Sequence, residues 1–225
     1  MEIFEINSLK LCVSKEHRFG TDAVKLAEFA EPRNGQIIAD LCTGCGIVPF
    51  LMVGRPQNGT PHRASPTVNP QKIYALDINE NAIELLRESV KINSLSELIF
   101  PILEDLKNIT QIPAGSIDLV TMNPPYYKAD DGFKRLSESE ASARHELLCE
   151  LDDTIRAAAK LLKYGGRLKM CHVPERLADV ISALRKYNLE PKAIKFLTNN
   201  GKEPWLMLID AKKGGKAGVK LTVDN

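Results

Sequence analysis

Asn123, Pro124, Pro125 and Tyr126 form the most specific chemical signature of the chain. The two prolines fix φ, keep the preceding residue extended and remove two N–H donors, so this turn presents hydrogen-bond acceptors. The Asn123 side-chain oxygen and the Pro124 carbonyl can accept both N–H bonds of an amine on an aromatic ring, which favours its pyramidal, nucleophilic form. Tyr126 offers a face on which a base can stack. The tetrapeptide therefore predicts chemistry on a planar exocyclic nitrogen, with a plain proline-rich turn as the alternative.

A second signature, Asp40-Leu41-Cys42-Thr43-Gly44-Cys45-Gly46, leaves an apolar run and enters a helix. Gly44 and Gly46 permit a tight turn and a close approach of the backbone to a ligand. A nicotinamide-cofactor fingerprint requires Gly or Ala where Pro49 stands, so that pattern does not fit. The spacing D-x-G-x-G-x-G, with Cys42 in the first glycine position, resembles the S-adenosylmethionine loop of class I methyltransferases.

Cys42 and Cys45 also spell C-x-x-C, which raises the possibilities of a redox pair or half a zinc site. The other adjacent pair of potential ligands, Cys171 and His172, lies on a predicted strand, where neighbours point to opposite faces. No metal site is therefore predicted.

Asp77 ends another apolar run, where a carboxylate can accept hydrogen bonds from a ribose diol. Its separation from the glycine loop exceeds the usual ~20 residues. The proline-rich segment 54–71 accounts for the excess. A helix-capping role is the alternative for Asp77.

Alternating apolar runs and helical patterns predict an α/β, Rossmann-like fold with helices on both faces of a mostly parallel, seven-stranded sheet. The last two strands, joined by a turn at 199–202, are expected to form an antiparallel hairpin. The predicted strands are 36–41, 72–78, 98–103, 117–123, 166–172, 192–197 and 204–210.

The length of 225 residues favours one domain, 1–225, and the composition excludes fibrous and wholly disordered proteins. Within it we expect an N-terminal segment 1–35, an exposed insert 54–71 and a basic tail 212–225 that frays. No apolar run approaches the roughly 18–20 residues of a membrane span, and no secretory signal is visible. With five cysteines, too few for a disulfide framework, a cytoplasmic location is expected.

The order of these motifs is similar to that of amino-methyltransferases that act on planar nitrogens. The segments that extend the match are His17–Val24 (HRFGTDAV), Asn123–Tyr127 (NPPYY), Ala143–Glu146 (ARHE), Leu162–Gly166 (LKYGG) and His172–Leu177 (HVPERL). Together they resemble the bacterial tRNA1(Val) adenine-37 N6-methyltransferase family over roughly residues 8–220. Cys42, the 54–71 insert and the ending LTVDN depart from the family pattern.

The resemblance implies a class I methyltransferase fold, S-adenosylmethionine as cofactor and methyl transfer to adenine N6 in a tRNA anticodon loop. The cofactor-binding residues it implies are Phe19, Gly20, Thr21, Asp22, Asp40, Cys42, Thr43, Gly44, Gly46, Asp77, Ile78, Asp105, Leu106 and Asn123. It places Thr21 and Asp22 over the methionine part of the cofactor and Asp105 and Leu106 at the adenine. Asn123, Pro124, Pro125 and Tyr126 would be catalytic.

The charge distribution indicates where a tRNA substrate is held. Residues 1–150 have a net charge of −6 and residues 151–225 one of +7. A basic C-terminal part suits a polyanionic partner, with solvated faces as the alternative. The predicted substrate contacts are Tyr126, Tyr127, Arg144, His145, Lys212, Lys213 and Lys216.

Three other functions remain open at this stage. The same chemistry serves N5 methylation of a release-factor glutamine, but those enzymes resemble a two-domain layout, and here the glycine loop begins at residue 40. N-methylation of another RNA base is a second possibility. A cofactor-binding module without catalysis is a third, and the intact Asn123–Tyr126 tetrapeptide argues against it.

Overall fold

The structure of the chain is a computed structural model that describes residues 1–6, 8–53, 70–124 and 151–224. Its strands in these ranges are β1 (Glu2–Ile6), β2 (Leu9–Val13), β3 (Ile37–Leu41), β4 (Lys72–Asp77), β5 (Ile99–Leu103), β6 (Ile117–Met122), β7 (Leu162–His172), β8 (Leu189–Leu197), β9 (Leu206–Lys213) and β10 (Lys220–Asp224). Its α-helices there are α1 (Thr21–Ala30), α2 (Ile47–Val53), α3 (Glu80–Ile92), α4 (Leu151–Leu161) and α5 (Leu177–Lys186).

The main sheet has the strand order β10-β8-β9-β7-β6-β3-β4-β5. Strands β3 to β7 pair in parallel, whereas β9 is antiparallel to both β7 and β8. The predicted Rossmann-like α/β class with a C-terminal antiparallel hairpin is therefore confirmed. Among the described residues the sheet has eight strands rather than the predicted seven, because β10 adds a parallel neighbour to β8.

The expectation of a frayed tail is wrong for residues 220–224, which form β10. Leu221 pairs with Ile194, and the ammonium group of Lys192 donates to the carbonyl oxygens of Lys216 and Gly218 at 2.9 and 2.7 Å. These contacts hold the chain that leads into the strand. Every residue of β10 is exposed, so its sequence lacks the apolar run that would predict a buried strand.

Two apolar layers cover the faces of the sheet. Leu26 of α1, Phe50 of α2 and Leu86 of α3 are fully buried in one layer, while Ile155 of α4 and Leu184 of α5 are fully buried in the other. Burial on both faces explains why the central strands are continuous apolar runs. No helix among the described residues has both the length and the apolar character needed to cross a bilayer.

The hairpin β1–β2 lies apart from the main sheet and is fixed to α3 by side chains. Asn93 accepts from the Lys10 N–H at 2.9 Å and donates to the Lys10 carbonyl at 2.7 Å. The Ser89 hydroxyl accepts from the Cys12 N–H at 2.8 Å.

The order of the parallel strands in the main sheet also indicates where a ligand binds. The carboxyl ends of β3, β4, β5 and β6 meet at one edge, where ligands bind in open α/β sheets.

Candidate active site

The glycine loop adopts the left-handed backbone that its sequence predicts. Gly44 and Gly46 have φ of 54° and 88°, and the Thr43 N–H donates to the Leu76 carbonyl at 3.0 Å. A Cβ on Gly46 would overlap the Leu86 side chain of α3, whereas one on Gly44 would meet no atom within 4 Å. Gly46 therefore permits close helix packing, and Gly44 leaves space at the loop surface for a ligand.

Cys42 occupies the first glycine position with φ of 57°. A residue with a Cβ costs roughly 1–2 kcal/mol in this conformation. Cys42 therefore adopts the left-handed conformation that a glycine would adopt, with some backbone strain. The half-buried Cys42 side chain packs against the apolar layer that contains α4 and α5.

Asp77 joins the end of β4 to the glycine loop. One carboxylate oxygen accepts from the Gly44 N–H at 2.8 Å and the other from the Asn79 N–H at 3.0 Å. Asp77 is 8% exposed. Because each carboxylate oxygen has two lone pairs, Asp77 can hold the loop and still accept from a diol. The adjacent helix cap is Asn79, whose side chain accepts from the Ala82 N–H, so Asp77 does not serve as the N-cap of α3.

Asp40 is a buried carboxyl group at the end of β3. Thr121 of the neighbouring strand β6 donates to Asp40 Oδ1 at 2.5 Å. Within the described part of the chain, Asp40 Oδ2 and the Thr43 hydroxyl have no hydrogen-bond partner. Burial raises the pKa of Asp40 to about 7, with a smaller contribution from the charge of Asp77. In its ionised form this carboxyl group can accept from a cationic or N–H donor group of a ligand.

The raised pKa of Asp40 predicts a pH dependence of stability. The folded protein keeps the proton to about pH 7, whereas the unfolded chain releases it near 3.8. Between these values the unfolded state binds fewer protons, so the free energy of unfolding falls as pH rises. Measured by urea denaturation, the difference between wild type and Asp40→Asn should decrease by about 2 kcal/mol from pH 5 to pH 7.5. A constant difference would show that Asp40 titrates normally.

Asn123 follows β6, and its carboxamide contacts two other elements. Its Nδ2 donates to Asp22 Oδ2 of α1 at 3.1 Å, and its Oδ1 accepts from the Cys171 thiol of β7 at 3.0 Å. Asn123 is half-buried, and Pro124 after it is buried. Pro125, Tyr126, Tyr127, Arg144 and His145 lie outside the described residues.

The segment before α1 brings further predicted residues to this edge. Phe19 is half-buried and makes an edge-on contact with Phe4, with ring centroids 5.9 Å apart. Gly20 is the N-cap of α1, and Thr21 is exposed in the first turn. Asp22 accepts a hydrogen bond from the Asn123 amide, a contact that the resemblance did not imply.

At the end of β5, Asp105 has a structural role. Its Oδ1 accepts from the Lys107 N–H at 2.9 Å and so caps the 3₁₀ turn Leu106–Asn108. Leu106 is buried, and Ile78 after β4 is 37% exposed. This cap fixes the backbone of the residues that the resemblance places at the adenine ring.

The redox and zinc alternatives gain no support from the loop cysteines. Burial raises the pKa of the Cys45 thiol to about 11, which disfavours the thiolate that both chemistries need. In the ranges that the structure covers, no group of three or more His, Cys, Asp or Glu side chains could hold a metal ion.

The basic C-terminal region is more strongly paired than its charge count suggests. Lys213 Nζ donates to the carbonyls of Ala159 and Leu162 at 2.6 and 2.8 Å and so caps the end of α4. We therefore remove Lys213 from the predicted phosphate surface. Lys212 is half-buried and Lys216 is exposed. Further ion pairs of this region include Arg185 with Glu190, Lys186 with Asp152 and Lys195 with Asp224.

The strand order, the glycine loop and the acidic residues at the carboxyl ends of β3, β4 and β5 define a class I methyltransferase fold. Solved structures agree. A predicted O-methyltransferase from Agrobacterium tumefaciens aligns with a TM-score of 0.66 at 20% identity, covering 90% of this chain and 85% of that one. The tRNA m1G37 methyltransferase of M. jannaschii aligns at 0.63 and 19% identity, covering 95% and 57%. At these identities the likeness shows the fold.

Sequence relatives point to a more specific group. Residues 63–137 match the family described as TRM5/TYW2 methyltransferase domain. Proteins named tRNA1(Val) (adenine(37)-N6)-methyltransferase are 26% identical in Phocaeicola vulgatus, covering 87% of this chain and 76% of the relative, and 28% identical in Bacteroides thetaiotaomicron, covering 85% and 75%. The resemblance carried by the sequence motifs is thereby confirmed.

The sequence assigns neither Thr121 nor Cys171 to the cofactor or substrate site. Thr121 donates to Asp40 from within an apolar strand, and Cys171 donates to Asn123 from the end of β7. The two contacts span 81 and 48 positions of sequence. Only the pairing of β6 with β3 and β7 brings them together, so no local spacing could reveal them.

Proposed function

We propose that this protein transfers the methyl group of S-adenosylmethionine to the exocyclic N6 of an adenine in RNA, at position 37 of a tRNA anticodon loop. The observation that carries the proposal is the orientation of the Asn123 carboxamide at the carboxyl edge of the sheet. Its Nδ2 donates to Asp22, and its Oδ1 is on the opposite side of the amide, near the Cys171 thiol. The relatives named tRNA1(Val) (adenine(37)-N6)-methyltransferase support the choice of adenine and of tRNA.

The residues present fit the cofactor. Asp77 offers acceptors for a ribose diol, the orphaned Asp40 oxygen offers one for a cationic or N–H group, and Gly44 leaves open space beside them. When bound, S-adenosylmethionine supplies an electrophilic methyl group on a positively charged sulfur. The residues we propose for its pocket are Phe19, Gly20, Thr21, Asp40, Cys42, Thr43, Gly44, Gly46, Asp77, Ile78, Asp105 and Leu106.

The chemical task of the Asn123 turn is to make an aromatic amine nucleophilic. The lone pair of such an amine is delocalised into the ring, so the nitrogen is planar and weakly reactive. Asn123 Oδ1 and the Pro124 carbonyl each accept one N–H bond, which stabilises the pyramidal nitrogen and the positive charge that develops on it. The new bond from nitrogen to the methyl carbon would replace the bond from that carbon to sulfur, so S-adenosylhomocysteine would be the leaving group. The nitrogen would release one proton to solvent water as the methylated amine forms. Tyr126 stacks on the base once it leaves its own stack.

For the tRNA contact we propose Lys212 and Lys216, together with Tyr127, Arg144 and His145. Each phosphate neutralised by a lysine releases counterions, so affinity falls with salt. The double variant Lys212→Ala/Lys216→Ala should flatten the log–log salt slope of tRNA binding by somewhat under two units. Lys213 is left intact because it caps α4. An unchanged slope would remove these lysines from the interface.

The test of the proposed function offers competing substrates. Purified protein is incubated with labelled S-adenosylmethionine and either total RNA from cells lacking the protein or a release factor. We expect label in the RNA and none in the release factor. Label in the release factor alone would contradict the proposed RNA methylation and favour glutamine N5 methylation.

Because the tRNA substrate is cytoplasmic, we place the protein in the cytoplasm.

A further inference from the structure

The two ends of the Asn123 carboxamide face chemically different partners. Asp22 presents a carboxylate oxygen 3.1 Å from Nδ2, and Cys171 presents a thiol 3.0 Å from Oδ1. An ionised carboxylate only accepts hydrogen bonds, and a thiol donates one weakly. A rotation of the amide by half a turn would put its oxygen against the carboxylate and its NH₂ against the S–H group. Both contacts therefore select the same orientation.

We propose that Asp22 and Cys171 are positioning residues that fix the orientation of the Asn123 amide for methyl transfer. This inference rests on the proposed function, in which the Asn123 oxygen accepts an N–H bond of the substrate amine. The reversed amide would present N–H donors to that amine, and two donors facing each other are repulsive. An isolated asparagine has no intrinsic preference between the orientations, so the selection comes from its neighbours.

The fold places both neighbours with little freedom. Met122 pairs with Met170 in the parallel ladder of β6 and β7. Asn123, directly after β6, and Cys171 of β7 each follow this pair by one residue, so they lie side by side. Cys171 is fully buried. A hydrogen bond in such surroundings is stronger than one in water because solvent does not compete for it.

Gly20 explains how Asp22 reaches Asn123. Gly20 is the N-cap of α1, and a Cβ at this position would overlap the Asp22 carboxylate. The absent side chain thus leaves room for the carboxylate. With φ of −97° and ψ of 173°, position 20 has a backbone that alanine adopts without strain. Gly20→Ala therefore displaces the carboxylate while the backbone is unstrained.

The kinetic test uses variants that keep the shape of the site. Asp22→Asn replaces the acceptor-only carboxylate by an amide that fits either orientation of Asn123, and we expect kcat to fall about tenfold or more. Gly20→Ala should lower kcat in the same direction. Cys171→Ala should lower it several-fold, whereas Cys171→Ser retains a donor and should restore most of it. In the Asp22 and Cys171 variants, the KM for RNA and the affinity for S-adenosylmethionine should stay within a factor of about two.

Asp179→Asn is the matched control. Asp179 also lies in the first turn of a helix, α5, and pairs with Arg176 on the surface. The control removes the same charge from the first turn of a helix, so unchanged kcat there shows that the loss in Asp22→Asn is specific to the site.

A double-mutant cycle separates action through Asn123 from direct contact with the cofactor. If Asp22 acts through Asn123, Asp22→Asn should have almost no further effect on kcat in the Asn123→Ala protein. A further tenfold loss in that background would assign Asp22 to the cofactor or substrate and overturn the positioning role.

A readout without catalysis keeps this inference independent of the proposed reaction. In ¹⁵N-labelled protein, the Asn123 side-chain NH₂ signals are those that disappear in Asn123→Ala. Their exchange with solvent should be slow in wild type and markedly faster in Asp22→Asn, because the hydrogen bond protects them. Equal exchange rates would overturn the inference whatever the activity. Protection with no methylation of RNA would instead contradict the proposed function alone.

Discussion

Asn123→Ala is expected to lower kcat for methyl transfer roughly 100-fold or more while the affinity for S-adenosylmethionine stays nearly constant. The Asn123 oxygen accepts an N–H bond that strengthens as the amine becomes pyramidal and positively charged. The variant therefore loses stabilisation mainly in the transition state. It also removes the Asn123 contacts of Asp22 and of the Cys171 thiol, and neither Asp22 nor Cys171 belongs to the glycine loop.

Single-turnover kinetics with labelled S-adenosylmethionine and tRNA measure the chemical step, and calorimetry measures cofactor binding. Asn93→Ala is the matched control, because Asn93 also makes part-buried and exposed side-chain hydrogen bonds but fixes the β1–β2 hairpin to α3. The control should lower stability and leave the methyl-transfer rate close to that of wild type. Near-normal transfer by Asn123→Ala would contradict the planar-nitrogen mechanism.

Asp77→Ala is expected to weaken S-adenosylmethionine binding by about 2 kcal/mol or more, which is roughly 30-fold. The carboxylate is nearly buried, and it accepts the Gly44 and Asn79 N–H groups in addition to the diol that we propose it binds. Its removal deletes the charge-assisted bonds to the ligand and releases the loop that surrounds it.

The measurement is calorimetric titration with S-adenosylhomocysteine, which binds without turnover. Glu80→Ala serves as the control, since Glu80 is an exposed acid in the first turn of α3 only three positions away. It removes the same charge without touching the loop, and its affinity should match wild type. A thermal melt of Asp77→Ala confirms that the protein is folded at the titration temperature. Unchanged affinity in the folded variant would show that the diol binds elsewhere.

The central strands could be predicted because burial on both faces makes them continuous apolar runs. The runs 36–41, 72–78 and 117–123 correspond to β3, β4 and β6 within one residue at each end. The glycine loop could be predicted for a related reason. Gly44 and Gly46 lie at positions where the backbone has positive φ. Positive φ favours glycine over other residues, so the loop can be predicted from the spacing of its glycines.

The hairpin β1–β2 and strand β10 could not be predicted from composition. Strand β1 is almost wholly exposed, as is β10, so neither shows the alternation of a half-buried strand. Their positions depend on distant contacts, such as Asn93 with Lys10 and Lys192 with the carbonyl of Gly218. Likewise, the contact between Asp22 and Asn123 joins positions 101 residues apart, which only the assembled sheet determines.

The most direct test of the proposed reaction is the nucleoside composition of tRNA from a strain that lacks this protein. The tRNA1(Val) is isolated from cells carrying an empty vector, the wild-type gene or the Asn123→Ala gene, and the nucleoside at position 37 is identified by mass spectrometry. We predict N6-methyladenosine with the wild-type gene and unmodified adenosine with the other two. Unmodified adenosine at position 37 in all three strains, with wild-type protein present and folded, would contradict the proposed reaction.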